Sequence, residues 1–280
     1  MPLAWTDSQL RRLKELGATA ADLQQTFENQ AARRSDFQNL EKSLVKLQRQ
    51  HLSKYFSTHR RPALQRLEIQ LSDLLIQAGF AQVSTPIIMS RGLLEKMSID
   101  SNHPLNKQIF WLPDDKCLRP MLAPHLYYML VDLLRICPRP VRIFEIGPCF
   151  RKESQGSQHA SEFTMLNLVE MGTTENTRTT RIHELGSLIT KAAGVTEVEY
   201  EAETSEVYGD TMDIVTGRDK LEVASAAMGP HPLDQPWRIH ESWIGIGFGL
   251  ERLIMAAHQG QNLARFGRSL SYLDGIRLNI

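Results

Sequence analysis

The spacing of apolar positions changes along the chain. Over residues 1–58 it is helical: Thr6 and Asp7 can cap a short helix that Gly17 stops, Thr19 opens a second, and Ser35 with Asp36 opens a third. In that third segment Phe37, Leu40, Leu44, Leu47, Leu52 and Tyr55 recur at near-helical intervals and form one stripe, which must pack on something. Arg61-Pro62 then starts an amphipathic helix, with Leu64, Leu67, Leu71, Leu74, Leu75 and Ala78 on one face and Gly79 at its end. The next residues, Gly79 to Pro86, read as a strand that stops at proline. From about Gln108 to Trp243 strand patterns dominate, broken by a helix after Pro124 and another near Thr179–Ala193, with long polar loops at 154–161 and 229–241. Such irregular alternation predicts an α+β fold, a mostly antiparallel sheet flanked by helices, rather than a βαβ repeat. The organisation expected is a helical segment over residues 1–60 and one larger domain over 61–280.

Composition narrows the class. A chain of 280 residues, 42% apolar and 23% charged, can bury a substantial core. The first residues lack the basic-then-apolar layout of a secretory signal, and no apolar run approaches the length that crosses a bilayer. Three cysteines, with no Cys-x-x-Cys pair, indicate neither a disulfide framework nor a zinc ribbon, and a reduced, cytoplasmic setting is expected. Net charge is zero, which argues against wholesale capture of nucleic acid. Residues 1–60 nevertheless hold ten Lys/Arg against six Asp/Glu, so this front end either touches phosphates or is an ordinary solvated helix surface. The nine histidines suggest no metal cluster, since His183-Glu184 lacks the second histidine of a His-Glu-x-x-His site.

The chemistry concentrates in two stretches. Phe144-Glu-Ile-Gly-Pro-Cys-Phe-Arg-Lys-Glu153, followed by Glu162-Phe-Thr-Met-Leu-Asn-Leu168, reads as strand, polar loop, strand. Arg151 and Glu153 share parity, so both can meet one ligand, although an exposed ion pair worth at most about 1 kcal/mol would look the same. On the second strand Phe163, Met165, Asn167 and Val169 share a face. A lone amide there costs about 1–3 kcal/mol unless it binds a ligand or neighbouring backbone. Downstream, Gly245-Ile-Gly-Phe-Gly-Leu-Glu-Arg252 is a glycine-paved strand that ends in an arginine at a helix start, where anions are favoured. Its third glycine comes too early for the Gly-x-Gly-x-x-Gly fingerprint, and no phosphate-loop sequence exists. Alternating glycines instead bare one face of the backbone to a flat group. Two cations beside such a floor suit a nucleoside triphosphate. Ala123, Leu126, Tyr127 and Leu130 fall on one helical face, which is more often plain core than a pocket.

Together these stretches resemble motifs 2 and 3 of the class II aminoacyl-tRNA synthetases, and the helix–glycine–strand–proline run from Arg61 resembles motif 1. Cys117-Leu-Arg-Pro-Met-Leu-Ala-Pro124 and Val207-Tyr-Gly-Asp-Thr211 are most similar to the pyrrolysine-specific branch of that family. The resemblance implies ATP-dependent activation of pyrrolysine to its adenylate, then transfer to an amber-suppressor tRNA(Pyl). By the same resemblance Arg151 takes the α-phosphate and Arg252 the γ-phosphate, as the catalytic pair. Glu153, His159, Phe163 and Gly249 complete the ATP site, with Phe163 against adenine. Leu221–Gly229 resembles the magnesium strand, with Glu222 and Ser225 as ligands; strict alternation puts them on opposite faces, so both reach the metal only if the strand bulges. The amino-acid pocket would comprise Ala123, Leu126, Tyr127, Leu130, Met165, Asn167, Val169, Tyr208, Ala227, Trp243 and Gly247. There Asn167 would bond the substrate's side-chain carbonyl, and Tyr208 would close over it from a hairpin tip. A homodimer built on motif 1 is implied. Longer members carry a basic tRNA-binding N-terminal domain, so either a separate protein supplies it or this chain works without one. A class II synthetase for another amino acid such as phenylalanine, a non-tRNA adenylating relative, and an inactive regulatory relative are the alternatives.

Overall fold

The computed structural model describes residues 2–152, 160–258, 260 and 263–280. The chain forms two compact units, Met1–Pro62 with Ser269–Ile280, and Ala63–Arg268. In the first, a two-residue strand β1 (Leu3–Ala4) leads into α1 (Asp7–Leu16), closed at its start by a reciprocal Thr6–Gln9 capping box and at its end by Gly17 at φ 84°. Helix α2 (Ala20–Leu23) has a second capping box, Thr19 with Asp22. Strand β2 (Thr26–Phe27) pairs with β1, where the sequence pattern suggested helices alone. Helix α3 (Gln30–Lys54) starts five residues before Ser35, because Asn29 rather than Ser35 or Asp36 supplies the cap, accepting from the Ala32 amide at 2.9 Å. Of the expected stripe, Leu44 is buried and Phe37 and Leu40 pack against Trp5, Leu13, Leu16 and Phe27. Leu47, however, is 42% exposed. Gln48 takes the inward place instead, its amide donating to the Leu16 carbonyl and accepting from the Arg277 N–H. That last bond belongs to a terminal hairpin, Tyr272–Leu273 with Ile276–Arg277, which nothing in the sequence set apart from the residues before it.

The second unit opens with α4 (Ala63–Gln77), whose Leu64, Leu67, Leu71 and Leu75 are buried. The strand expected over 79–86 is reduced to β3 (Ala81–Gln82), followed by β4 (Ile88–Ser90) and α5 (Arg91–Glu95). Two short strands, β5 (Trp111–Leu112) and β6 (Lys116–Leu118), form a small sheet with β4. Then come α6 (Ala123–Ile136), β7 (Val141–Phe150), β8 (Glu162–Met171), α7 (Arg178–Ala192), β9 (Glu199–Ser205), β10 (Gly209–Thr216), β11 (Leu221–Gly229), β12 (Trp243–Gly249) and α8 (Leu250–Ala257). The main sheet has seven strands in the order β3-β7-β8-β12-β11-β10-β9. Every pairing is antiparallel except β3 with β7. This is the antiparallel, helix-flanked α+β fold expected. Among the described residues no helix is long and apolar enough to cross a membrane.

Strand parity divides the sheet into two faces. Leu166 and Leu168 of β8 and Ile244, Ile246 and Phe248 of β12 pack into a core with residues of α4, α7 and α8. The alternate residues, Val169, Met171 and Trp243 among them, join a second core with Leu126, Tyr127 and Leu130 of α6.

Between β6 and α6, Arg119 runs into the interior with its side chain 2% exposed. Its Nη1 donates to Glu145 Oε1 on β7 at 2.7 Å and to Thr85 Oγ1 at 3.0 Å, while Nε donates to the Pro148 carbonyl at 2.7 Å. Glu145 in turn accepts from the Thr85 amide at 3.1 Å and its hydroxyl at 2.7 Å. Gly147 makes room for this, since a Cβ there would sit 2.2 Å from Arg119 Nη2. Removing one partner of such a buried pair strands the other charge. Glu145→Ala is therefore expected to lower the unfolding free energy of this unit by about 3–5 kcal/mol, read as a lower urea midpoint. An unchanged midpoint would show that the pair does not hold the strands together.

Candidate active site

A cavity of about 440 Å³ opens on the sheet face that carries the odd-numbered residues of β8, with the first turn of α8 at its edge. β8 contributes Phe163, Met165, Asn167, Val169 and Met171, the odd-numbered set that alternation selects. β12 contributes Gly245, Gly247 and Gly249, paired in register with Val169, Asn167 and Met165. A Cβ on Gly247 would come within 3.3 Å of Met165 Cε, so that side-chain tip would have to give by a few tenths of an ångström.

Arg151 and Arg252, 101 positions apart in sequence, line this one cavity. Arg151 donates from Nε to the Pro120 carbonyl at 2.9 Å, and its guanidinium lies 5.3 Å from the centre of the Phe163 ring. Arg252, in the first turn of α8, donates to the carbonyl and carboxylate of Glu222 at 3.2 and 3.0 Å. That pair is 29% and 45% exposed, so it is worth at most about 1 kcal/mol and phosphate oxygens can exchange into it. Beside Arg252, the buried Glu251 accepts the Thr164 amide through both oxygens at 2.9 Å; burial raises its pKa above the ordinary carboxylate range.

The parity conflict on β11 is removed by a bulge. Ile214 faces Ala224, whereas the next residue of β10, Val215, faces Glu222, so Val223 is supernumerary. Glu222 thereby turns to the face of Ser225. Asp213 lies opposite Ser225 and bonds its side chain. Burial raises the pKa of Asp213, opposed by that hydrogen bond. Carboxylate and hydroxyl oxygens on one face suit a magnesium ion completed by phosphate oxygens. Among the described residues no cluster of three or more His, Cys, Asp or Glu side chains could hold a metal alone.

At the other end lie Ala123, Tyr127, Leu130, Tyr208, Ala227 and Trp243. Leu126, expected at this end too, is 0% exposed and packs in the second core behind the cavity wall. Residues three and four apart on a helix diverge enough that one can seal while the other lines. Asn167 donates its amide nitrogen to the Ile246 carbonyl at 3.1 Å, so neighbouring backbone meets part of its demand. Glu153 and His159 lie outside the described residues.

The sequence reading missed Asp234. This buried carboxylate accepts the Tyr127 hydroxyl at 2.9 Å, the Trp243 indole N–H at 2.8 Å and the His231 amide at 2.7 Å. Burial, then Tyr208 and Asp234, push the Tyr127 pKa upward, so its phenol stays a donor. Asp234 falls in the stretch 229–241 whose pattern reads as a polar loop, with no periodicity to betray it.

The model of the "tRNA synthetases class II core domain (F)" matches residues 46–274. The chain belongs to the class II aminoacyl-tRNA synthetases. Among solved structures, pyrrolysyl-tRNA synthetase from Desulfitobacterium hafniense is 49% identical, with a TM-score of 0.94 and 99% of each chain covered. A second structure of a D. hafniense pyrrolysyl-tRNA synthetase is 48% identical, with a TM-score of 0.91, covering 99% of this chain and 96% of that one. The phenylalanine–tRNA ligase alpha subunit of Thermosynechococcus vestitus is 24% identical over 209 residues, 70% of this chain and 60% of its own length. Histidine–tRNA ligase of Neorickettsia sennetsu is 27% identical over 110 residues, 38% of this chain and 27% of its own. The synthetase thus spans less than two thirds of these two curated relatives.

The Asp234 cluster makes the pocket wall testable. Tyr127→Phe removes one donor from a buried carboxylate in this synthetase and should cost about 1–3 kcal/mol of stability, with a changed tryptophan emission as Trp243 loosens. Unaltered emission and stability would mean that Asp234 does not organise the wall.

Proposed function

We propose that this synthetase is a pyrrolysine–tRNA ligase: it activates pyrrolysine, or a related Nε-acylated lysine, with ATP and passes the acyl group to a cognate tRNA(Pyl). The observation that carries this reading is the 49% identity to D. hafniense pyrrolysyl-tRNA synthetase over 99% of both chains. The cavity supports it, with cations at one end and an apolar, aromatic end at the other.

In the first step the amino-acid carboxylate attacks the α-phosphate of ATP and pyrophosphate leaves. Little covalent work falls to the protein, so positioning and charge stabilisation carry the step. Arg151, steered by the Pro120 carbonyl, would take the α-phosphate as negative charge grows. Arg252 would exchange Glu222 for the γ-phosphate. Adenine would lie on Phe163, with the glycines of β12 beneath the nucleotide. Glu222 and Ser225 would hold magnesium, which supplies positive charge to the phosphates when bound. At the far end Asn167 would meet the acyl carbonyl of the substrate side chain, and Tyr208 would cover it. In the second step the ribose hydroxyl at the tRNA 3′ end would attack the acyl carbon of the adenylate, forming the ester as the acyl–phosphate bond breaks and AMP leaves. The basic surplus in residues 1–60 suits contact with tRNA. A second copy would cover Ile69 and Ile76 of α4, which are 44% and 52% exposed.

ATP–pyrophosphate exchange tests the reading. Exchange should require pyrrolysine or an Nε-acylated lysine and be absent with phenylalanine. Arg151→Ala should lower it about 10²–10³-fold. Equal exchange with phenylalanine would overturn the substrate, and exchange surviving in Arg151→Ala would remove that side chain from the reaction.

A further inference from the structure

Two histidines hold the tip of the β9–β10 hairpin in the same way. His103 precedes Pro104 and caps the short 3-10 helix Pro104–Gln108; its Nδ1 accepts the Leu105 N–H at 3.2 Å. His231 precedes Pro232 and caps the 3-10 helix Pro232–Trp237; its Nδ1 accepts the Leu233 N–H at 3.1 Å. A ring nitrogen that accepts carries no proton, so in each neutral ring the proton is on Nε2. Both Nε2 atoms face carbonyls of the hairpin tip: His103 that of Glu206 at 3.1 Å, His231 that of Tyr208 at 2.7 Å. The two rings thus come from separate loops and grip residues two apart, on either side of Val207.

The gripped residues belong to the pocket. Val207 and Tyr208 pack against the second core and line the cavity. The Tyr208 ring stands 6.3 Å from that of Trp243 and 5.8 Å from that of His231. Within the hairpin, the Tyr208 amide bonds Ser205 Oγ at 2.8 Å. His231 also ties the hairpin to the pocket wall, since its own amide donates to Asp234, which holds Tyr127 and Trp243.

We infer that His103 and His231 are positioning residues that latch the hairpin closed over the amino-acid end of the cavity, and so set how firmly the substrate side chain is enclosed. The role in substrate enclosure rests on the function proposed above; the latch itself does not. A pocket whose closed form is only partly populated binds more weakly by that fraction. Neither imidazole touches the reacting atoms.

Amide variants separate capping from latching. In asparagine the side-chain oxygen replaces Nδ1, so it can still accept the N–H two residues on, but nothing reaches the hairpin. In glutamine the amide nitrogen falls near the place of Nε2 and can still donate to the hairpin carbonyl. Hydrogen exchange of the peptide spanning residues 203–210, read by mass spectrometry on the ligand-free protein, reports the latch. His103→Asn and His231→Asn should each speed that exchange about three- to tenfold, the usual worth of one hydrogen bond, and the double variant more. The double asparagine variant should also raise KM for an Nε-acylated lysine, leave KM for ATP unchanged, and be restored towards the parent by the double glutamine variant. Unchanged exchange in the double asparagine variant, or glutamine variants no better than asparagine, overturns the latch. Faster exchange with an unchanged amino-acid KM overturns its role in enclosure. Because the exchange measurement uses no substrate, a failed assignment of the amino acid and a failed latch give different results.

Discussion

The site depends on one buried ion pair. Arg119 and Glu145 sit side by side with almost no solvent, which is tolerable only because further bonds satisfy the remaining donors and lone pairs. Thr85 bonds both partners, and the Pro148 carbonyl takes the guanidinium Nε. The backbone of Arg119 is held as well, its N–H on the Ile87 carbonyl and its carbonyl on the Phe150 N–H. The next residue along is Pro120, whose carbonyl orients Arg151. An interior charge is thus two steps from the guanidinium that the proposed chemistry needs most. Arg151 is thereby oriented by backbone that the strand end fixes in place.

The rest of the site follows from strand parity. On β8 and β12 every even-numbered residue from 164 or 244 onwards turns away from the cavity. The apolar ones among them, Leu166, Leu168, Ile244, Ile246 and Phe248, close the helix-side core. The odd-numbered set is then free to be chosen for recognition: phenylalanine, methionine, asparagine and valine on one strand, glycine on the other. β11 departs from this rule at Val223, and the departure is what brings Glu222 alongside Ser225.

Much of this was legible in the sequence, because periodicity reports which side chains share a face. The β8 set, the glycine floor, the caps at Thr6, Thr19 and Gly17, and the convergence of Arg151 with Arg252 in one cavity all follow from local pattern and motif. What local pattern could not reach are contacts between segments. Leu126 and Tyr127 occupy the same helical face, and only the packing of α6 decides that Leu126 seals while Tyr127 lines. Gln48 looks like a surface residue until the Leu16 carbonyl and the Arg277 amide are placed beside it. Arg119 lies within the Cys117–Pro124 stretch, where nothing nearby in sequence reveals Glu145 across the sheet. Asp234 and the two proline-preceding histidines are invisible for the same reason.

The hairpin at residues 272–277 has a consequence for biosynthesis. Arg277 bonds Gln48 through its backbone and pairs with Glu15, while Arg12 reaches the carbonyl of Asn279. Gln48 on α3 therefore lacks its Arg277 partner until 229 further residues have been added. Vectorial folding, in which early segments mature while later ones are still being polymerised, can gather Trp5, Leu13, Leu16, Phe27 and Leu44 but cannot complete this unit. The α1–α3 surface that carries Arg12, Glu15 and Gln48 stays without this hairpin until residues 269–280 have emerged.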